Sequence, residues 1–417
     1  MGIVRSFFMG LLLVPLSLMG QTFWRGADIS WYTEMEADGR RFCNQQGEER
    51  SCPALMKELG MNAVRLRVWV NPSLRLCDYC HTADVVAKAK AASALGMEVL
   101  IDFHYSDWWA DPGRQDIPAE WTDKSVAALQ TAVAGHTKAV LTALKDAGVQ
   151  PRWVQVGNET NSGMLLETGR ASDASTAYAQ LFQSGAEAAR EVFPNIQVIA
   201  HLANGYDQGS LLWNLNLLKK GGARFDMIGL SCYPSLYRYW SDGKYVNVRF
   251  WSETDRREVT LTSAADYIRA TFESIDFLAS RFGVPVMICE TGVPVADVAA
   301  GAQLVADLMT RARSNPHCQG VFYWEPECEP SWRPSSYEAW GWNAYDMGAF
   351  QNGRPTAILD AFSPTDDERL TEPVPVVRAS AGRVPTYDLC GRPVTSPCGI
   401  YIRNGRIVAH SHKFSKQ

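Results

Sequence analysis

From about position 24 to 362 the chain repeats one pattern: a short apolar, β-branched run, a loop, then a longer stretch with apolar residues at helical spacing. The runs at 26–30, 63–70, 98–103, 153–157, 197–201, 227–231, 284–289 and 320–324 predict eight strands. Between them, 82–95, 125–147, 174–193, 263–282 and 296–312 predict amphipathic helices. Glycine marks the end of a unit at Gly60, Gly96, Gly148 and Gly283. Repeated strand-then-helix units imply parallel strands with right-handed crossovers, either as a closed barrel or as a doubly wound sheet. No GxGxxG or P-loop sequence follows the first strand, so the nucleotide-binding sheet loses its main support. The expectation is an α/β fold, a (β/α)8 barrel with a short β tail.

The two ends differ from this pattern. Arg5, the apolar run 7–19 and a small-residue exit at 19–21 predict a signal peptide over 1–20. The barrel is expected over 21–362 and a Pro/Asp/Glu/Thr-rich linker over 363–384. Over 385–417 two short strand signals, 387–394 and 399–408, occur with an Asn-Gly turn. That tail resembles the short C-terminal β tails of exported Bacteroidetes-type proteins, which implies secretion, or display in the periplasm or on the surface of a Gram-negative cell. The other reading of the tail is an edge hairpin packed on the barrel. No later stretch is long and apolar enough to span a bilayer.

Charge and cysteine content narrow the partners. A net charge of −5 and a pI near 5.9 leave no broad basic field for nucleic acid or an anionic membrane surface. A monomer is expected. Ten cysteines suit an oxidising compartment, with Cys43/Cys52, Cys77/Cys80, Cys318/Cys328 and Cys390/Cys398 close enough in sequence for local disulfides. Cys77-x-x-Cys80 also has the form of a metal or redox motif, but it has no second pair. Cys232 and Cys289 fall in apolar runs and read as buried thiols.

The candidate chemistry lies where strands end, because in such barrels the reacting groups come from the C-terminal strand ends. Strand 4 ends in Asn158-Glu159 and strand 7 in Glu290, so two carboxylates face each other across the mouth. A single strand-end glutamate reads equally well as half of an ion pair. Two in these places suit glycoside hydrolysis, which needs one protonated carboxyl for the leaving oxygen and one carboxylate for the anomeric carbon. Asn158 fits a donor to a sugar 2-hydroxyl.

The segments GADISW (26–31), TEME (33–36), VRLRVWVNP (64–72), IDFHYSDW (101–108), WVQVGNETN (153–161) and GVFYWEPE (320–327) resemble glycoside hydrolase family 53, in order and spacing. The resemblance implies arabinogalactan endo-β-1,4-galactanase activity, with Glu159 as acid/base, Glu290 as nucleophile and no cofactor. It also implies that Arg67 holds the nucleophile ionised, and that His104, His201 and Tyr233 line the cleaved sugar's site. Trp324 offers a stacking face, and Trp31, Trp109 and Trp342 are weaker stacking candidates. Some family members carry a calcium site after strand 7. Here that loop offers only Asp297, too few oxygens for calcium, and no HExxH or paired His/Cys zinc pattern occurs, so no metal is expected. Two alternatives remain: another β-glycanase of the same clan, such as a mannanase or β-glucanase, and a surface glycan-binding protein without turnover.

Overall fold

The computed structural model of the chain describes residues 22–75, 77–366, 368, 386–387, 393–394, 399–403 and 406–410. The expected signal peptide, most of the expected linker, and Cys390 and Cys398 lie outside them.

Eight parallel strands close a barrel. They are β1 (Trp24–Asp28), β2 (Ala63–Val68), β3 (Glu98–Phe103), β4 (Trp153–Val156), β5 (Gln197–Leu202), β6 (Met227–Cys232), β7 (Val286–Thr291) and β8 (Cys318–Trp324). Helices α1 (Cys52–Glu58), α2 (Thr82–Ala94), α3 (Val126–Asp146), α4 (Ala177–Val192), α5 (Gln208–Lys220), α6 (Ala264–Phe282) and α7 (Val298–Ser314) alternate with them. A 3-10 segment, Ala357–Phe362, packs on α7 where an eighth helix would stand. Side-chain caps start the helices where the chain turns: Ser125 Oγ accepts the Ala128 N–H and Ser263 Oγ the Asp266 N–H.

Inside the barrel the side chains sort by height. The floor is apolar: Trp24, Ala63, Leu100, Trp153, Ile199, Met227, Met287, Cys289 and Phe322 form one buried cluster. Gly26 is required there, because a Cβ would lie 2.1 Å from a ring carbon of Phe322. A larger apolar layer fills the space between strands and helices. Above the floor the barrel interior turns polar, with Asp28, Arg65, Asp102, Gln155, His201 and Glu290 all buried. A barrel interior so filled is a packed core open only at its upper rim.

Strand β7 ends two residues later than its apolar run suggests, so Glu290 lies within the strand. The strand also loses register against β6 between Ile288 and Glu290. Such a bulge breaks the in/out alternation, so Cys289 joins the interior floor while Glu290 also faces inward, just above it.

The eight described cysteines are free thiols, which corrects the expected local disulfides among them. Cys318 opens β8, whereas Cys328 lies beyond its far end. Six strand residues at roughly 3.3 Å each hold them far beyond disulfide reach. Cys80 has a left-handed backbone (φ 60°) and its thiol faces the Ser30 carbonyl at 3.7 Å.

A second compact unit spans Arg369–Gln417. Its described residues form an antiparallel sheet in the order Pro393–Val394, Thr386–Tyr387, Gly399–Arg403, Arg406–His410. The expected signal over 399–408 is two strands, Gly399–Arg403 and Arg406–His410, and the signal over 387–394 ends in the short pieces Thr386–Tyr387 and Pro393–Val394.

Candidate active site

The C-terminal strand ends surround an open cleft lined by His104, Trp109, Asn158, Glu159, Ser231, Tyr233, Glu290, Trp324 and Trp342, among others. Glu159 follows β4 in a left-handed conformation (φ 47°), which turns the chain abruptly out of the strand. One oxygen of Glu159, one of Glu290 and a ring nitrogen of His201 lie within 4.8 Å of one another.

One buried cation organises this floor. Arg65 lies 2.8 Å from Glu290 Oε1, 2.6 Å from Asp28 Oδ2 and 2.9 Å from Asp102 Oδ2. It also donates to Asn158 Oδ1 at 2.8 Å and to Gln155 Oε1 at 3.2 Å. The Tyr233 hydroxyl donates to Glu290 Oε2 at 2.9 Å. Burial pushes the Glu290 carboxyl above its ordinary value, and Arg65 and Tyr233 pull it back.

Glu159 has fewer allies. Burial first, and the charge of Glu290 second, raise its carboxyl to about 8, with only the Ser231 hydroxyl opposing strongly. Ser231 Oγ donates to Glu159 Oε1 at 2.6 Å. Of two carboxyls sharing one site, the proton therefore belongs to Glu159 and the charge to Glu290.

His201 supports this polarity. Its Nδ1 accepts the Glu159 backbone N–H at 3.2 Å and the Gln155 amide at 2.9 Å. The ring proton is thereby placed on Nε2, which faces Ser231 Oγ at 3.1 Å. Burial, and then Arg65, hold the imidazole well below its ordinary value, so it is neutral. A relay results in which His201 donates to Ser231 and Ser231 to Glu159. His104 is fixed in the same tautomer: Nδ1 accepts the Ala110 N–H at 3.0 Å and Nε2 faces Asp102 Oδ2 at 3.0 Å. Burial works against ionisation of Asp102, but Arg65 and His104 outweigh it and hold its carboxyl below the usual range. Asn158 Nδ2 donates to the Ala110 carbonyl at 2.8 Å, leaving one amide hydrogen toward the cleft.

The structure thus brings Glu159, Glu290, Asn158, His104, His201, Tyr233 and Trp324 together, and it does not bring Arg67. The expectation that Arg67 holds Glu290 is corrected: Arg65 does. Both arginines face inward because strand residues alternate, but Arg67 stands roughly 7 Å further along β2. There it pairs with Glu325 and lies among the indoles of Trp109, Trp31 and Trp69, at 4.4, 5.2 and 5.2 Å. Trp31 is likewise no stacking surface, being fully buried among Trp109, Trp324, Trp332, Tyr337 and Tyr345. Arg65, Gln155, Asp102 and Ser231 were not singled out by the sequence. The only signal for Arg65 was its alternation with Arg67 on one strand face.

Among the described residues, Glu159, His201 and Glu290 form the one group with metal-ligand spacing. Arg65 already pairs with Glu290, and hydroxyl hydrogens already reach both carboxylates, so the donor set suits a proton-sharing pair better than a cation. Asp297 is spent on a helix cap, its Oδ1 accepting the Ala300 N–H at 3.0 Å at the start of α7.

Comparison with known proteins agrees with the geometry. Residues 24–362 match the profile of Glycosyl hydrolase family 53. A probable arabinogalactan endo-β-1,4-galactanase A from Aspergillus terreus is 31% identical over 75% of this chain and 88% of its own. An endo-β-1,4-galactanase from Bacillus subtilis is 31% identical over 75% of this chain and 72% of its own. Among solved structures, a fungal β-1,4-galactanase superposes with a TM-score of 0.66 at 27% identity, covering 82% of this chain and 99% of that one. The family 53 catalytic domain from Ignisphaera aggregans gives 0.68 at 26% identity, covering 84% and 97%.

Proposed function

The chain belongs to glycosyl hydrolase family 53, and from that premise we propose that it cuts β-1,4-galactosidic bonds within (arabino)galactan, with retention of configuration. One observation carries the reading: the carboxylates of Glu159, just beyond β4, and Glu290, on β7, approach within 4.8 Å. That closeness suits direct attack on the sugar, since inverting enzymes hold their carboxyls further apart to admit a water.

In the proposed reaction Glu159 passes its proton to the glycosidic oxygen as the bond to the anomeric carbon breaks. Glu290 attacks that carbon and forms a glycosyl ester. Glu159, now a carboxylate, takes a proton from water, which attacks the same carbon and frees Glu290. Arg65 and Tyr233 hold Glu290 charged until it reacts. Asn158 has a free amide hydrogen for the sugar 2-hydroxyl, and Trp324, Trp109 and Trp342 supply indole surface to the cleft.

The test is product formation from linear β-1,4-galactan by wild type, Glu159→Ala and Glu290→Ala, with NMR of the first anomer released. Short galacto-oligosaccharides born as the β anomer, and two nearly inactive variants, support the reading. Hydrolysis of mannan without galactan sinks the substrate, and binding without turnover sinks the reaction in favour of a surface glycan-binding protein. The proposal extends to export, on the strength of Arg5 and the apolar run 7–19, and to a Gram-negative cell, on the tail's resemblance to those of exported Bacteroidetes-type proteins. Galactan-cleaving activity confined to the cytosol would refute that part.

A further inference from the structure

Strand β6 does not lead straight into its helix. Two hairpins intervene: Arg238–Ser241 with Lys244–Asn247, and Arg249–Ser252 with Arg257–Thr260. The first is a ribbon with unusual exposure: Tyr239 is 53%, Trp240 63% and Tyr245 66% accessible. Eight large hydrophobic residues are exposed among the described residues, and five of them (Leu236, Tyr239, Trp240, Tyr245, Trp251) fall within 236–251. Scattered apolar residues need no explanation, but a cluster of this kind marks a binding surface. Trp240 and Tyr245 are paired across the ladder and share one face of the ribbon, their rings 5.1 Å apart and edge to face.

The ribbon is rooted in the active-site rim. Leu236 lines the cleft and is 49% exposed, and three residues before it Tyr233 donates to Glu290. Arg238, where the ribbon begins, is two residues beyond Leu236, at most roughly 7 Å of chain. The aromatic surface is therefore continuous in sequence with the cleft wall.

We propose that the Trp240/Tyr245 face is an outer sugar-binding subsite that holds the galactan chain beyond the cleft. The proposal rests on the galactan reading above. In β-galactopyranose the axial 4-hydroxyl leaves the C–H groups of C3, C4 and C5 together on the opposite face. That apolar patch packs against an indole or phenol ring and excludes water. The ribbon's charged residues are few, Arg238 and Lys244 against Asp242 for a net of +1, so its exposed face is carried by the two rings rather than by charge. A second copy of this chain fits less well, because the ribbon's two four-residue strands fall well short of the roughly 20–30 residues a side that a stable interface uses.

The experiment compares wild type with the Trp240→Ala/Tyr245→Ala double variant on two substrates, long linear galactan and an aryl β-1,4-galactobioside that fits within the cleft. Expected is a rise of about 5- to 10-fold in KM for the polymer, with kcat/KM for the bioside unchanged, which also shows that the variant is folded. A polymer KM that does not move, or an equal loss on both substrates, overturns the proposal. So does a wild-type dimer in light scattering that the double variant abolishes. A wild type that turns over neither substrate sinks the galactan reading itself, and the ribbon proposal with it.

Discussion

Arg65 and Glu290 meet 2.8 Å apart in the barrel interior, and the same guanidinium also holds Asp28, Asp102 and Asn158. The two residues come from β2 and β7, so closing the barrel is what brings them together. Three carboxylates around one buried arginine leave an excess of negative charge at the cleft floor. That excess is tolerable because the fourth carboxyl, on Glu159, keeps its proton. The cation that steadies the fold at this level is thus the one that sorts the protons of the pair.

Replacing Arg65 with Met should therefore affect chemistry and stability together. Arg65 holds the Glu290 carboxyl down against burial, so without it the acid limb of kcat/KM moves to higher pH. Leaving Asp28, Asp102 and Glu290 buried without their shared cation should also cost about 3–5 kcal/mol of stability. Arg67→Met is the control. It disturbs the Glu325 pair, lowers the melting temperature and leaves the acid limb in place. A pH profile and a thermal melt of both variants check this, and an equal shift of the limb in both would refute the assignment.

The basic limb belongs to Glu159, which must be protonated to aid departure of the leaving oxygen. With its carboxyl raised to about 8, kcat/KM should fall as pH rises through that value. The Ser231 hydroxyl favours the charged form, so Ser231→Ala should move the limb to still higher pH, by up to about one unit for a charge-assisted hydrogen bond of about 1.5 kcal/mol. The same proton bears on folding. Unfolded, the group ionises near 4.5, whereas folded it keeps its proton to about 8. Folding thus takes up a proton in that window, and this group's contribution to stability declines as pH rises from 4.5 to 8. A limb that moves downward in Ser231→Ala would contradict the relay.

Much of this was legible in the chain. Eight β-branched runs ending in polar residues specify a barrel with its chemistry at one rim, and Glu159 and Glu290 stand at two such ends. Height within the barrel was not legible. Arg65 and Arg67 satisfy the same two-residue alternation, and only the stagger of neighbouring strands puts one level with Glu290 and the other among indoles. The bulge in β7 was hidden for a related reason, since alternation alone sends Cys289 and Glu290 to opposite faces. Ser231 and Gln155 are small or neutral residues inside apolar runs and carry no signal until their partners are in place. The Cys318/Cys328 spacing looked local, but an extended strand carries the chain away fastest.

The roles of the two glutamates separate on a substrate whose leaving group needs no proton. With an aryl β-1,4-galactobioside, Glu159→Ala should still form the glycosyl ester but stall before water attacks it. Added azide should then restore turnover and give the β-galactosyl azide. Glu290→Ala has no nucleophile, so azide enters from the opposite face and gives the α product. On polymer, loss of either should lower kcat by at least about 10²- to 10⁴-fold. The azide anomers, read by NMR, decide the assignment, and a β product from Glu290→Ala would reverse it.

The apolar floor should prove as exacting as the rim. A Cβ on Gly26 would sit 2.1 Å from Phe322 Cδ1 and 2.4 Å from Cε1. Phe322 has little room to give, because it belongs to the same closed cluster as Trp24 and Trp153 and packs edge-on against Trp153 with centroids 6.3 Å apart. Gly26→Ala should thus destabilise by about 3 kcal/mol, the upper end of overpacking costs in a well-packed core. Phe322→Leu in the same chain removes the clashing ring carbons and should recover part of the loss. The strain sits below Arg65 and Asp28, so it should lower the denaturant midpoint while both limbs of the pH profile stay where they were. A Gly26→Ala protein as stable as wild type would mean that the barrel floor is looser than its packing indicates.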